Sequence, residues 1–263
     1  MKNEELTGKT ALVCGASRGI GLATAHALVD RGCRVVLMAR NEPDLLKALK
    51  QIKAAQPGEH HHIVGDAGKP DSVAHTVGRW MAEHGSIHIL VNNSGGPQPG
   101  PIQNAKSEEF LAAFTQHLLA AHEISQCLIP AMREAGYGRI VNVISTSVKQ
   151  PLHGLGVSNT IRAAVASWAK TLSAEVASYG ITVNNVLPGA TRTERLEQII
   201  GGKATRDGRS PQEVEQDMIN EIPAGRFGHP EEIAAAIAFL AGPSAGYING
   251  INLPVDGGRT GCL

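Results

Sequence analysis

A short glycine-rich turn between the first apolar run and the first helical pattern limits what this chain can become more than any other stretch does. Residues 10–14 read as a buried strand, Gly15-Ala-Ser-Arg-Gly-Ile-Gly21 follows directly, and 20–31 reads as a helix. Glycine takes positive φ and lets a diphosphate approach the backbone closely. The helix start then offers free N–H groups to the phosphates. The spacing G-x-x-x-G-x-G differs from the common G-x-G-x-x-G, and no Gly-Lys-Ser/Thr ends it, which excludes a P-loop. Such a turn can be merely a turn. Its place between the first strand and the first helix makes it a candidate dinucleotide site.

The rest of the chain repeats the alternation. Strands are expected at 34–39, 62–64, 87–92, 139–144, 181–187 and 251–255. Helices are expected at 43–56, 71–84, 107–134, 156–178 and 230–241, with Pro130 a candidate kink in the long one. Residues 194–220 are polar and read as a helical excursion. The expected fold is α/β: a single-domain Rossmann-type, doubly wound parallel sheet of about seven strands with helices on both faces, spanning 1–263. Lys+Arg and Asp+Glu are both 24, so the formal charge is zero, which argues against nucleic acid or a membrane surface as partner. The four cysteines are scattered, without a C-x-x-C pair, so neither a disulfide framework nor a zinc site is expected. His60-His-His62 adjoins a strand, where neighbours point to opposite faces, so no metal is assigned. The polar start and the lack of an apolar run near the roughly 18 residues of a membrane span lead to an expected cytoplasmic location.

The motifs, taken in order, resemble the short-chain dehydrogenase/reductase family over nearly the whole chain, most closely its 3-oxoacyl-carrier-protein reductase-like branch. Gly15-Ala-Ser-Arg-Gly-Ile-Gly21 is similar to the family's cofactor loop. Asn92-Asn-Ser-Gly95 is similar to Asn-Asn-Ala-Gly, with Ser94 for Ala. Pro188-Gly-Ala-Thr-Arg-Thr193 resembles the loop that holds the nicotinamide amide, and Val255-Asp-Gly-Gly258 the C-terminal signature. The resemblance implies a cofactor site of Gly15, Ser17, Arg18, Gly19, Ile20, Gly21, Asp66 and Ala67 after the third strand, Asn93, Ser94, Gly95, Arg162, Pro188, Gly189, Thr191 and Thr193. The second strand ends Ala39-Arg40, without the acidic residue that would bond a ribose 2′-OH. Arg40 and Arg18 are candidate clamps for a 2′-phosphate, so NADP(H) is favoured and NAD(H) remains possible; two ordinary surface arginines are the alternative.

At the catalytic positions the resemblance breaks. The family uses Ser, Tyr, a Lys one turn later and a helical Asn. Here Ser145 takes the serine position, but Ser158 stands for Tyr, Arg162 for Lys and His117 for Asn. A serine hydroxyl is far less acidic than a phenol, and arginine, with a pKa above about 12, does not pass protons as lysine does. Ser158 and Arg162 share a helix face, so Arg162 is expected to keep an electrostatic and ribose-binding role. Candidate proton sources are Lys149 and His153 in the loop after Ser145, His117, which could titrate near neutrality, or an ordered water. Against these stand solvated loop residues and a satisfied interior histidine.

Two functions are therefore in view. One is an oxidoreductase moving hydride between NADP(H) and a small carbonyl or alcohol, with an altered proton relay. The other is a catalytically weak or inactive NADP(H)-binding regulatory protein. The family's assembly through its two long helices implies a homotetramer or homodimer, with Phe110, Phe114, Leu118, Leu119, Val165, Trp168 and Leu172 as candidate contacts. The charged run 203–209 could meet an anionic substrate or simply face water.

Overall fold

Strands covered on both faces need near-continuous apolar runs, and the first two supply them after their first residues, Thr10 and Arg34. In β1 (Thr10–Cys14), Ala11 and Val13 enter one core while Leu12 and Cys14 enter another. β2 (Arg34–Ala39) divides the same way, Val35 and Leu37 opposite Val36 and Met38. The computed structural model describes residues 5–262. β3 (His61–Val64), β4 (Ile89–Asn92), β5 (Gly138–Val143), β6 (Ile181–Pro188) and β7 (Asn252–Val255) complete one sheet, all parallel, in the order β3-β2-β1-β4-β5-β6-β7.

One face is covered by α1 (Gly19–Val29), α2 (Glu42–Ala55) and α9 (Pro230–Ala241), through Leu28, Ile52 and Ile237 among others. The other is covered by α3 (Pro70–His84), α5 (Ala120–Glu134) and α6 (Gly156–Val176), through Val77, Leu128 and Val176. Local chemistry fixes several helix starts. The Asn41 side chain accepts the Asp44 N–H at 2.9 Å to open α2, and the Glu232 carboxylate accepts the His229 N–H at 2.8 Å to open α9.

Two expected segments come out differently in detail. The long helix expected over 107–134 is α4 (Ser107–Phe114), a π turn at Thr115–Leu119 and α5, and Pro130 lies inside α5. The excursion resolves into α7 (Glu194–Asp207) and α8 (Pro211–Asn220), which share a small core of Leu196, Ile200, Val214 and Phe227. Among the described residues no helix is long and apolar enough to cross a membrane.

The strand order reverses between β1 and β4, and a crevice at the carboxyl ends of the strands there is where such sheets hold ligands. The expected site loops converge on that point.

Candidate active site at the carboxyl edge of the sheet

The glycine turn is shaped by what leaves no room for a side chain. Gly15 has φ +60°, and a Cβ on it would stand 2.7 Å from the Asn93 carbonyl oxygen. A Cβ on Gly21 would stand 2.1 Å from the Gly15 carbonyl oxygen. The Asn93 amide nitrogen donates to the Cys14 and Gly15 carbonyls, both at 3.3 Å, and so ties the turn to the end of β4. Arg18, at the N-cap of α1, provides no side-chain cap, and the first turn holds no acidic residue. The N–H groups at the start of α1 are thus open to an anion, the fit a diphosphate requires.

The 188–193 loop closes over this turn. Thr193 caps α7 by accepting the Leu196 N–H at 3.4 Å, and its Cγ2 lies 3.4 Å from where a Cβ on Gly19 would stand. Thr191 donates to the Gly189 carbonyl at 3.0 Å. Asp66 turns its own loop by accepting the Gly68 N–H at 3.0 Å. The arginines expected to clamp a 2′-phosphate are divided. Arg18 ion-pairs with Glu194 at 2.6 Å, while Arg40 is exposed and borders a recess of about 230 Å³ with Asp66 and Lys69.

Deeper in, a cavity of about 30 Å³, room for one water, is lined by Asn92, Asn93, Ser94, His117 and Arg162, with Cys14 and Ala67. Burial pushes the Cys14 thiol up to about 12, which leaves it inert. His117 lies in the π turn, a distortion often found at functional sites. Its Nδ1 is 2.6 Å from the Ser94 hydroxyl. Ser94 and His117, two of the positions where the motif reading expects other residues, are thus partners. Arg162 is 7 % exposed, donates from Nη1 to the Val143 carbonyl at 3.1 Å, and is not ion-paired among the described residues. Burial lowers its pKa to about 10, so it stays charged near neutrality.

That charge corrects the reading of His117 as a group titrating near neutrality. Burial and then the neighbouring Arg162 drive its pKa down to about 2, and the ring stays neutral. The linkage has a definite sign. Below the ordinary value of 6.5 the unfolded chain takes up a proton that the folded chain refuses, so stability falls as pH drops from 6.5 toward 2. At pH 5 the loss is about 2 kcal/mol. Urea unfolding at pH 7 and pH 5 should show a loss about 2 kcal/mol larger in the wild type than in His117→Asn, since His60, His61 and His88, which burial also lowers, keep contributing in both.

Ser145 follows the end of β5 in extended conformation, and its oxygen accepts the Ser147 N–H at 3.1 Å. Ser158 is half-buried in the first turn of α6, one turn before Arg162. Lys149 and His153 are exposed in the loop between Ser145 and α6. The structure therefore gathers Ser94, His117 and Arg162 around one cavity. Ser145 stands next to its lining residue Ile144, and Lys149 and His153 lie on the surface. The tyrosines do not enter: Tyr137 donates to the Ala241 carbonyl at 2.6 Å, Tyr179 ends the turn after α6, and Tyr247 is fully exposed.

A family model described as Enoyl-(Acyl carrier protein) reductase matches residues 15–260. The chain belongs to the short-chain dehydrogenase/reductase family. Within this family it is 36 % identical over 263 residues to the 3-oxoacyl-[acyl-carrier-protein] reductase FabG of Vibrio cholerae, covering 96 % of this chain and 98 % of that one. It is 31 % identical to the NADPH-dependent reductase BacG of Bacillus subtilis, with the same coverage. The L-sorbose reductase of Gluconobacter frateurii, solved with NADPH and L-sorbose, superposes with a TM-score of 0.93 at 30 % identity, covering 99 % of this chain and 100 % of that one.

Two features of the site escape a reading of the sequence. One is Arg195, at the start of α7, whose Nη2 donates to the Pro97 carbonyl at 2.8 Å. The other is a row of asparagines: Asn92 donates to Asn142, Asn142 to Asn185 and Asn185 to Asn252, at 2.8, 2.9 and 2.8 Å. Each pair is also a register pair of adjacent strands. The signal, one asparagine at matching register in each of β4, β5, β6 and β7, is visible in sequence only once the register is known.

Proposed function

We propose that this protein is an NADP(H)-dependent oxidoreductase that moves hydride between the nicotinamide and a small carbonyl or alcohol, with a proton relay different from the family's Tyr–Lys pair. The reading rests on the uncapped start of α1, facing the loop from β4 where the strand order reverses. Relatives described as NADPH-dependent, or solved with NADPH, support it. When bound, the nicotinamide would supply or accept the hydride. The N–H groups of 19–21 would hold the diphosphate, Asp66 and Ala67 the adenine end, and Ser94, Gly95, Arg162, Pro188 and Thr191 the nicotinamide end. The oxygen of Ser145 is engaged as an acceptor, so its proton is left to donate to a carbonyl oxygen. Arg162, charged and one turn from Ser158, stabilises negative charge on that oxygen without giving up a proton. The proton then comes through solvent at the rim, where Lys149 and His153 are exposed.

Mixing the protein with NADPH and a panel of ketones, oxo acids and 3-oxoacyl thioesters, and following nicotinamide absorbance, tests this directly. One observation favours the alternative of a catalytically inactive NADP(H)-binding regulator: the buried groups are a neutral imidazole and a fixed cation, neither a ready proton donor. Tight NADPH binding without turnover across the panel would decide for it. Coenzyme choice has its own expected result. Arg40→Asp should move the ratio of kcat/KM for NADPH over NADH toward NADH by roughly tenfold or more, the effect of losing a charge-assisted contact. An unchanged ratio would remove Arg40 from the 2′-phosphate. Assembly into a homodimer or homotetramer through α5 and α6 is part of the same proposal, and sedimentation tests it.

A further inference from the structure

Arginines of the excursion and of the chain's end are mostly matched with carboxylates. Arg192 pairs with Glu215, Arg206 with Asp207, Arg209 with Asp217 and Arg259 with Glu221. Two arginines near the cavity are not. Arg162 lines it from α6, more than nine-tenths buried, and its Nη2 is the nearest atom to where a Cβ on Gly96 would stand, at 3.9 Å. Arg195 reaches the same segment from α7, half-buried, and spends one N–H on the Pro97 carbonyl. Among the described residues neither guanidinium has an ion-pair partner, and each donates to a backbone carbonyl. The two cations therefore meet the 95–97 segment from different helices, each with most of its N–H groups uncommitted. A buried charge kept without a protein counter-ion is costly unless a ligand supplies one. Guanidinium forks match the planar oxygens of a carboxylate. The diphosphate has its own donors at the start of α1, so Arg195, and the Arg162 N–H groups beyond those used at the nicotinamide end, are left for a second anion.

We infer that the substrate is an oxo acid or the matching hydroxy acid, a small carbonyl or alcohol whose own carboxylate is held by Arg162 and Arg195, in preference to a neutral ketone. This rests on the hydride-transfer reading above. In the reductive direction the oxo acid takes a hydride at its carbonyl carbon and a proton from solvent at the carbonyl oxygen, leaving a hydroxy acid and oxidised coenzyme. The test compares 2-oxo and 3-oxo acids with their methyl esters, using wild type, Arg195→Gln and Arg195→Lys. The acids should be preferred in kcat/KM by roughly 30-fold, the usual cost of leaving a charge unpaired. Arg195→Gln should collapse that ratio and raise KM for the acid but not for NADPH, and Arg195→Lys should restore part of it. In a thermal melt with NADP+ present, the oxo acid should raise the Tm of the wild type and not that of Arg195→Gln. Equal use of acids and esters, or a rise in the NADPH KM instead, overturns the inference while the oxidoreductase reading stands. Failure to bind NADPH at all overturns both.

Discussion

Replacing Ser145 by alanine should lower kcat by about 10²- to 10³-fold while NADPH affinity stays within about a factor of two, the loss typical of deleting one hydrogen-bond donor aimed at a developing oxyanion. The direction of that donor is set by the protein. The Ser147 N–H occupies the oxygen at 3.1 Å, in the turn that follows β5, so in the proposed reaction the hydroxyl proton is free to donate to the substrate. Alanine keeps the backbone and removes only this group, and the lost cap on a short turn should cost stability about 1 kcal/mol. Ser145→Thr, which retains a hydroxyl, should recover much of the rate. Undiminished turnover in Ser145→Ala would remove Ser145 from the reaction.

The second large effect concerns the coenzyme turn. Gly21→Ala should weaken NADPH binding by at least about 100-fold, measured by fluorescence titration. The added Cβ would meet the Gly15 carbonyl oxygen at 2.1 Å and the Asn93 amide nitrogen at 2.9 Å. Neither contact is the yielding end of a long side chain; one is backbone and the other is the amide that fastens the turn to β4. The turn must open, and the row of N–H groups at the start of α1 loses its aim. Gly202→Ala is the control. That residue is exposed within α7 with nothing within 4 Å of an added Cβ, so the change should leave binding alone and stabilise the helix by about 0.5–1 kcal/mol. Equal NADPH affinity in the two variants would dissociate the turn from coenzyme binding.

Much of the fold was legible because its signals are local. The first and second strands and the 230–241 helix stand where apolar runs and Pro230 put them. The π turn was not legible, since a helix extended by an extra residue keeps its apolar pattern almost unchanged and is selected by how it packs. In the site, Ser145, Ser158, Arg162 and His117 could be named from motif positions, but their states could not. His117 is neutral because it is buried and, second, because Arg162 lies close to it from a helix far away in sequence. The Ser94–His117 pair was visible only as two separate departures from a pattern. The charged run at 203–209 is the conspicuous feature of this stretch in sequence, yet its Arg206 and Arg209 are neutralised by Asp207 and Asp217. Arg195, a few residues earlier, passed as one more polar residue of a surface helix.

The asparagine row joining β4, β5, β6 and β7 has a consequence for how this sheet can change. The three amides that donate along it, Asn92, Asn142 and Asn185, do so in the same sense, toward β7, so the dipoles reinforce one another and none of them titrates. Exchanging a single member for an aliphatic residue would strand the amides on either side of the gap in a dry layer, at about 1–3 kcal/mol for each polar group left alone. Conversion of the whole file to hydrocarbon would strand nothing. Variation at the two buried places, Asn142 and Asn185, is therefore coupled, and acidity of the medium leaves the seam unmoved.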